Sequence, residues 1–284
     1  MADAAPSRAA IPWFEALGDA ADRIATMVSG LTAAERRVPQ GAGAGGDTTV
    51  LVDRLAEEIV IDVLGRQDGG LTLISEEAGE VAMGAPSPIV VVDPIDGSLN
   101  AKRGLPIFAV SIAVADGPSV GDVRLAMVRD LGSGETLTAE RGVGAWSDGA
   151  PLVCAPAGGR PDMLALEGAS PTRIARAAPA MTGRVARIRA LGSAALSICH
   201  AGAGRVDAMA SLGRCRSVDV AAAVLIAQEA GAVVGLPTPD DVEGASLALT
   251  ARYHVLVGHD QATYGLARDA LTAASGGTAL PSGG

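Results

Sequence analysis

Residues 88–100, PIVVVDPIDGSLN, constrain the fold more than any other stretch of the chain. Ile89 to Val92 are all β-branched and apolar, which marks a short strand buried on both faces. The run stops at Asp93. Pro94 has no N–H to give to a central ladder, so the strand is expected to end there. Asp93 and Asp96 then emerge at a turn. Gly97 lets backbone approach a ligand closely, and the following N–H groups and the Ser98 hydroxyl suit an anion. The plain alternative is a surface turn, where Asp, Pro and Gly are common.

The flanking segments extend the pattern. Residues 12–29 read as a helix ending near Gly30. GAGAGGD (41–47) reads as a flexible connector. Asp47 or Asp53 starts the next helix, whose face is expected to carry Leu55, Ile59, Val63 and Leu64, with acids on the other side. LTLIS is a buried strand. Residues 107–115, 123–130 and 135–142 are consecutive strands separated by turn residues, as in an antiparallel sheet. Beyond residue 150 the pattern changes. Strand-like MLALEG, VARIRAL and HVLVG alternate with helix-like SAALSICHAGAG, DVAAAVLIAQEAG and DQATYGLARDALTAA, an α/β alternation. The last eight residues are expected to fray.

Three further acidic positions match the first. Glu76 and Glu77 leave the LTLIS strand, Asp219 opens an alanine-rich helix, and Asp53 lies near a helix start. Each has an ordinary reading alone, as a solvated loop, a helix cap or a first-turn acid. Together they place carboxylates at strand ends and helix starts, beside runs that must be buried. If they converge, their repulsion in a partly dry cleft calls for cations. An all-oxygen ligand set suits Mg²⁺ and not zinc. His200, His254 and His259 fall outside these motifs and read as core or surface residues.

The totals narrow the function. With 22 Lys and Arg against 32 Asp and Glu, the net charge is −10, which argues against a nucleic-acid or membrane partner, both of which need a basic face. The cysteines, Cys154, Cys199 and Cys215, are odd in number with no C-x-x-C spacing, so neither a disulfide framework nor a zinc site is expected. The start of the chain has no apolar signal core, and no run is long enough to span a membrane. A soluble protein of a reducing cytoplasm is the expectation. Aromatics are only 2%, so Ala, Val, Leu and Ile must build the core.

DPIDGS resembles the D-P-[IL]-D-G-[ST] signature of the inositol monophosphatase superfamily of Mg²⁺-dependent phosphatases. SEE is similar to its upstream [GS]-E-E element, and TAERGVGAW to its T-A-x-x-G-x-G-A hairpin. GSAALSICHAGAGRVDA resembles its G-[ST]-A-A…G-x-x-D-A segment, and SVDVAAAVLIAQEAG its second signature. The motifs stand in register from about residue 12 to 273.

The resemblance implies an α/β (α+β) fold, a layered αβαβα sandwich. It also implies an N-terminal half (10–150) and a C-terminal half (151–275) acting as one catalytic unit, with the cleft between them. It implies that Glu76, Asp93, Asp96, Asp219 and the Ile95 carbonyl hold two or three Mg²⁺ ions. Asp53, Glu76 and Ser98 would orient water. Gly97 and Ser98 would bind phosphate, with Asp96 and Asp219 beside the substrate, and Gly192, Ser193 and Ala194 would line the sugar side. Hydrolysis of a small polyol or sugar phosphate by a homodimer follows.

Inositol 1-phosphate and fructose 1,6-bisphosphate stand first, because DGSLNAKRGLPIFAVSIAV is similar to the archaeal-type branch. Histidinol phosphate and 3′-phosphoadenosine 5′-phosphate are the alternatives. An inactive binding or regulatory protein on the same fold is the alternative of another class. An aspartyl-phosphate mechanism at Asp93 is disfavoured, since that chemistry wants D-x-D.

Several positions depart from the animal-type pattern. Val218 stands in place of a tryptophan and Ala223 in place of a glycine. Ser211 lies nearest to a lost inositol-contacting acid, and the Asp207–Asp219 interval is one residue longer. Lys102 and Arg103 are placed to provide cationic contacts near the mouth of the pocket or to face solvent, and the second reading is the favoured one.

Overall fold

The central apolar run becomes the interior of an eight-stranded sheet in the computed structural model, which describes residues 5–44, 48–155, 158–237 and 241–276. Across that sheet the strands run Ala150–Leu152, Gly144–Ser147, Thr136–Glu140, Val123–Asp130, Ala109–Ala115, Ile89–Asp96, Leu71–Ser75 and Gly79–Met83. Every neighbouring pair is antiparallel except Leu71–Ser75 with Ile89–Asp96, which is parallel, with Ser75 beside Val92. That one parallel pair positions the site. It makes both strands finish at the same end of the sheet, so Glu76 and Asp93 leave side by side.

Side chains alternate along Ile89–Asp96. Val90 and Val92 enter the core beneath the helices Ile11–Gly30 and Leu51–Leu64, while Val91 enters the core on the opposite face. On that opposite face lie the helices Ala194–Gly202 and Ser217–Glu229. A second, five-stranded sheet packs beyond them, in the order Arg187–Arg189, Met163–Glu167, Ala208–Ser211, Leu256–Gly258, Val233–Gly235. It is mixed: its first three strands are parallel and the rest antiparallel. The helices Pro171–Met181 and Gln261–Ala274 cover its outer face. The layers are therefore αβαβα.

Ser217–Glu229 carries buried residues around its circumference, as a helix between two sheets must. Val218 and Ala223 lie in this core. Small residues let the helices approach closely. A Cβ at Gly202 would stand 2.7 Å from the Ala227 Cα.

Two local expectations are corrected. The strand does not end at Pro94; it runs to Asp96 through a register shift between Asp93 and Asp96. A bulge leaves its extra residue out of the ladder, so proline's missing donor costs nothing there. The helix Leu51–Leu64 also turns two of its acids inward, while Glu58 and Asp62 stay exposed as expected. Asp53 and Glu57 are buried with Val52, Ala56, Val60, Val63 and Leu64, while Leu55 and Ile59 are only half-buried. The helix leans over the strand ends, so its inner face meets the cleft as well as the core.

Gly41 and Ala42, read as connector, belong to a strand Pro39–Ala42 that pairs with Thr48–Val50. Asp47 and the final eight residues lie outside the described residues.

Candidate active site

The strand ends and the Ser217–Glu229 helix N-terminus enclose a cleft of about 480 Å³. Its walls carry Asp53, Glu76, Glu77, Asp93, Asp96 and Asp219 together with Ile95, Gly97 and Ser98. Glu76, Asp93 and Asp219 each contribute one carboxylate oxygen to a cluster spanning no more than 4.8 Å. Residues up to 143 positions apart in the chain thus meet, as the resemblance implies.

Asp93 accepts the Ile95 N–H at 3.0 Å and also hydrogen-bonds with the Asp219 carboxyl. Burial pushes its pKa well above the usual carboxylate range, and the charges of Asp96 and Asp219 push it further. Asp96 is raised to about 7, by burial first and by Asp219 second. Asp219 is also raised by burial, against the hydrogen bond it accepts from the Arg216 N–H at 2.7 Å. Burial disfavours full ionisation of all three groups, neighbouring acids add to this at Asp93 and Asp96, and Arg216 offsets part of it at Asp219.

Asp96 points toward the Ala194–Gly202 helix. It accepts the Ser193 hydroxyl and the N–H groups of Ala195 at 2.8 Å and Ala194 at 3.3 Å. Ser193 also caps that helix. Gly192, at φ 79°, has its N–H held by Glu167. Gly192, Ser193 and Ala194 thus stand behind Asp96 and meet the cleft through it.

Gly97 needs to be glycine on two counts. Its φ is 89°, and a Cβ would come within 3.1 Å of the Gly192 and Ile107 carbonyl oxygens. Next to it, the Ser98 hydroxyl donates to the Ile95 carbonyl at 2.9 Å. Asp53 is raised by burial, partly offset by Lys102. One of its oxygens takes the Val50 N–H at 3.4 Å, and the other, Oδ1, is buried with no hydrogen-bond partner.

Three residues of this region were not expected in it. Lys102 does not face solvent: its ammonium lies 3.3 Å from Asp53 Oδ2. Position 102 is one turn after Ser98 in the helix Ser98–Arg103, so the two share a face; that spacing was the available signal. Arg103 is exposed, as expected. Arg216 donates to Glu76, and its place three residues before Asp219 gave no warning. Glu57, one turn after Asp53, accepts the Ser75 hydroxyl at 2.6 Å and is raised to about 7, chiefly by burial.

The departures in the second half have structural reasons. Ser211 is fully buried in the second sheet, where its hydroxyl accepts the Val255 N–H at 2.6 Å. Asp207 accepts the N–H groups of Asp162 and Met163, both at 2.8 Å, and so ties strand ends together. The three cysteines are free and buried.

A profile of the Inositol monophosphatase family matches residues 12–273. The chain belongs to the inositol monophosphatase family. A fructose-1,6-bisphosphatase/inositol-1-monophosphatase of Methanothermobacter thermautotrophicus is 32% identical over 213 residues, covering 71% of this chain and 76% of that protein. The Nus factor SuhB of Escherichia coli is 33% identical over 223 residues, covering 75% and 82%. The crystal structure of an inositol monophosphatase–fructose 1,6-bisphosphatase shares the fold with a TM-score of 0.78 at 23% identity, over 91% of this chain and 99% of that one. No helix among the described residues is long and apolar enough to cross a membrane.

Proposed function

We propose that the chain is a Mg²⁺-dependent phosphatase of small polyol or sugar phosphate monoesters, with inositol 1-phosphate and fructose 1,6-bisphosphate as its foremost substrates. The observation that carries this is the Glu76–Asp93–Asp219 cluster, three carboxylate oxygens within 4.8 Å. Its donors are all oxygens, burial and the charges of Asp96 and Asp219 push Asp93 toward protonation, and Asp93 accepts a single N–H. That combination fits a hard divalent cation. Glu76, Asp93, Asp96, Asp219 and the Ile95 carbonyl are the groups that would hold the ions. When bound, the ions neutralise phosphate charge and supply an acidified water.

The chain's own residues do the rest. Asp53 Oδ1, buried and unpartnered, is the atom placed to take a hydrogen bond from the attacking water. Ser98, on the facing helix turn, fixes that water's other side, and Glu76 completes its surroundings. The N–H groups of Gly97 and Ser98 meet phosphate oxygens, and in-line geometry then favours displacement of the leaving alcohol. Gly192, Ser193 and Ala194 hold Asp96 in place on the polyol side. Asp219 comes from the second half of the chain and completes a cluster begun by the first, so residues 10–150 and 151–275 act as one catalytic unit. We propose a cytoplasmic homodimer.

The test is phosphate release in Mg²⁺ and in EDTA from inositol 1-phosphate, fructose 1,6-bisphosphate, histidinol phosphate and 3′-phosphoadenosine 5′-phosphate. Release that needs Mg²⁺ and disappears in Asp93→Asn supports the proposal, and the best substrate places the chain within the family. Trapping of a phosphoenzyme would point to Asp93 as a nucleophile instead. No release above the Asp93→Asn background would favour a binding or regulatory role, a reading to which the Nus factor relative gives some weight. The full set of acids, Asp53, Glu76, Asp93, Asp96 and Asp219, weighs against it.

A further inference from the structure

The two oxygens of the Asp53 carboxylate are served unequally. Oδ2 takes the Val50 N–H at 3.4 Å and lies 3.3 Å from the Lys102 ammonium. Oδ1 is buried with no hydrogen-bond partner. Two donors on one oxygen fix the plane of the carboxylate and leave the other oxygen to face what enters the cleft, whose wall Asp53 forms. A buried acceptor without a donor costs stability, which points to a donor brought by the contents of the cleft.

The two donors on Oδ2 differ in origin. The Val50 N–H belongs to the N-terminal cap of Asp53's own helix, so that bond is local. Lys102 comes from a separate element, the helix Ser98–Arg103, and its side chain is only 23% exposed. An ammonium so sheltered keeps more of its attraction than a surface lysine, where solvent and salt screen the pair. Burial disfavours the charge on Asp53, and Lys102 is the largest influence against that, ahead of the Val50 N–H and Ser98. Arg216, also in the cleft wall, donates to Glu76 instead. Lys102 and Ser98 lie one turn apart on one helix face, so a single short element addresses both Asp53 and the water that Ser98 would fix.

We propose that Lys102 is a positioning residue for the hydrolysis, holding Asp53 with Oδ2 turned to its ammonium and Oδ1 presented to the attacking water. Its contribution runs through Asp53 and not through the phosphate. The inference rests on the phosphatase reading of the site and adds to it a residue that the acids and the Gly97–Ser98 turn leave out.

Two measurements on the full-length chain test this: steady-state kinetics on the fastest-cleaved of the four phosphate esters, and calorimetric titration with inorganic phosphate in the presence of Mg²⁺. Lys102→Met is expected to lose about 10- to 100-fold in kcat, the scale of a misplaced reacting group. Its KM and its affinity for inorganic phosphate should stay within about twofold of the wild type. Lys102→Arg, which keeps a cation in reach of Asp53, is expected to recover most of the loss. In an Asp53→Asn background, Lys102→Met should lower the residual kcat little further, because the group it acts through is already gone. Lys102→Gln provides the second variant if Lys102→Met fails to fold, as judged by circular dichroism. An unchanged kcat in the folded variant would overturn the inference. So would a fully additive loss in the Asp53→Asn background, or a loss confined to KM and phosphate affinity, which would make Lys102 a phosphate contact. Each of those outcomes leaves the phosphatase reading standing. That reading fails if the wild type releases no phosphate in Mg²⁺, and the Lys102 inference falls with it.

Discussion

Glu167 and Asp93 are both carboxylates buried near the C-terminal ends of strands, and they are treated in opposite ways. Glu167, in the second sheet, accepts the Ser197 hydroxyl at 2.6 Å, the Leu191 N–H at 3.0 Å and the Gly192 N–H at 3.1 Å. Its pKa is raised by burial, and those hydrogen bonds counter the rise. Asp93, in the first sheet, has a single N–H and faces two other acids. An ionised carboxylate has about four acceptor sites. Glu167 uses most of them on its own chain and ties a loop down. Asp93 turns toward the cleft, where it meets Asp219 and no further N–H. Burial alone does not mark a functional acid; the hydrogen bonds left unmade do.

The comparison breaks if the two acids respond alike to substitution. The largest effect is expected from Asp93→Asn, which should lower Mg²⁺-dependent phosphate release by about a thousandfold or more, since it removes a group holding the charge-neutralising centre. Glu167→Ala should do the reverse. It strands two N–H groups and a hydroxyl in the interior and should cost about 2–4 kcal/mol in urea unfolding, with activity lost only as Asp96 loses its support from Gly192 to Ala195. Ser193→Ala sharpens the link between the two regions. It removes both the helix cap and the hydroxyl on Asp96, and it should cost about 1 kcal/mol with a modest fall in kcat.

The smallest effect concerns Glu57. Its folded pKa, about 7, lies above its ordinary value of 4.5. Between those values the folded chain keeps a proton that the unfolded chain releases. The stability of the metal-free protein therefore falls as pH rises from about 4.5 to about 7. Asp93, Asp96 and Asp219 are raised too and act in the same sense. Glu57→Gln, compared with wild type by melting at pH 5 and pH 7.5, should flatten that dependence. An unchanged slope would mean that Glu57 titrates normally.

Much of this was open to inspection in the sequence, for a definite reason. The β-branched run before Asp93 reads as a buried strand, and the family resemblance carried by the five ordered motifs implies the layers and a site shared by Glu76, Asp93 and Asp219. What escaped depends on contacts that local chemistry does not announce. A lysine in the last turn of a short helix is ordinary in itself, and only the fold shows that Lys102 faces Asp53. Pro94 looked like a strand end because the bulge that tolerates it is invisible in one strand alone. Glu57 was assigned to solvent with its helix's other acids, because the apolar pattern does not reveal that the same face also overhangs the cleft. The Asp96 cap comes from a helix almost a hundred residues away.

The most direct measurement is the melting temperature of the metal-free chain and its change on adding Mg²⁺, in wild type and Asp93→Asn. If the cleft acids are destabilised by burial and by one another until cations arrive, Mg²⁺ raises the melting temperature of the wild type. Metal-free Asp93→Asn then melts at or above the wild type and gains little from Mg²⁺. A metal-free Asp93→Asn that melts far below the wild type, with no Mg²⁺ shift in either protein, would show that Asp93 is a structural acid like Glu167.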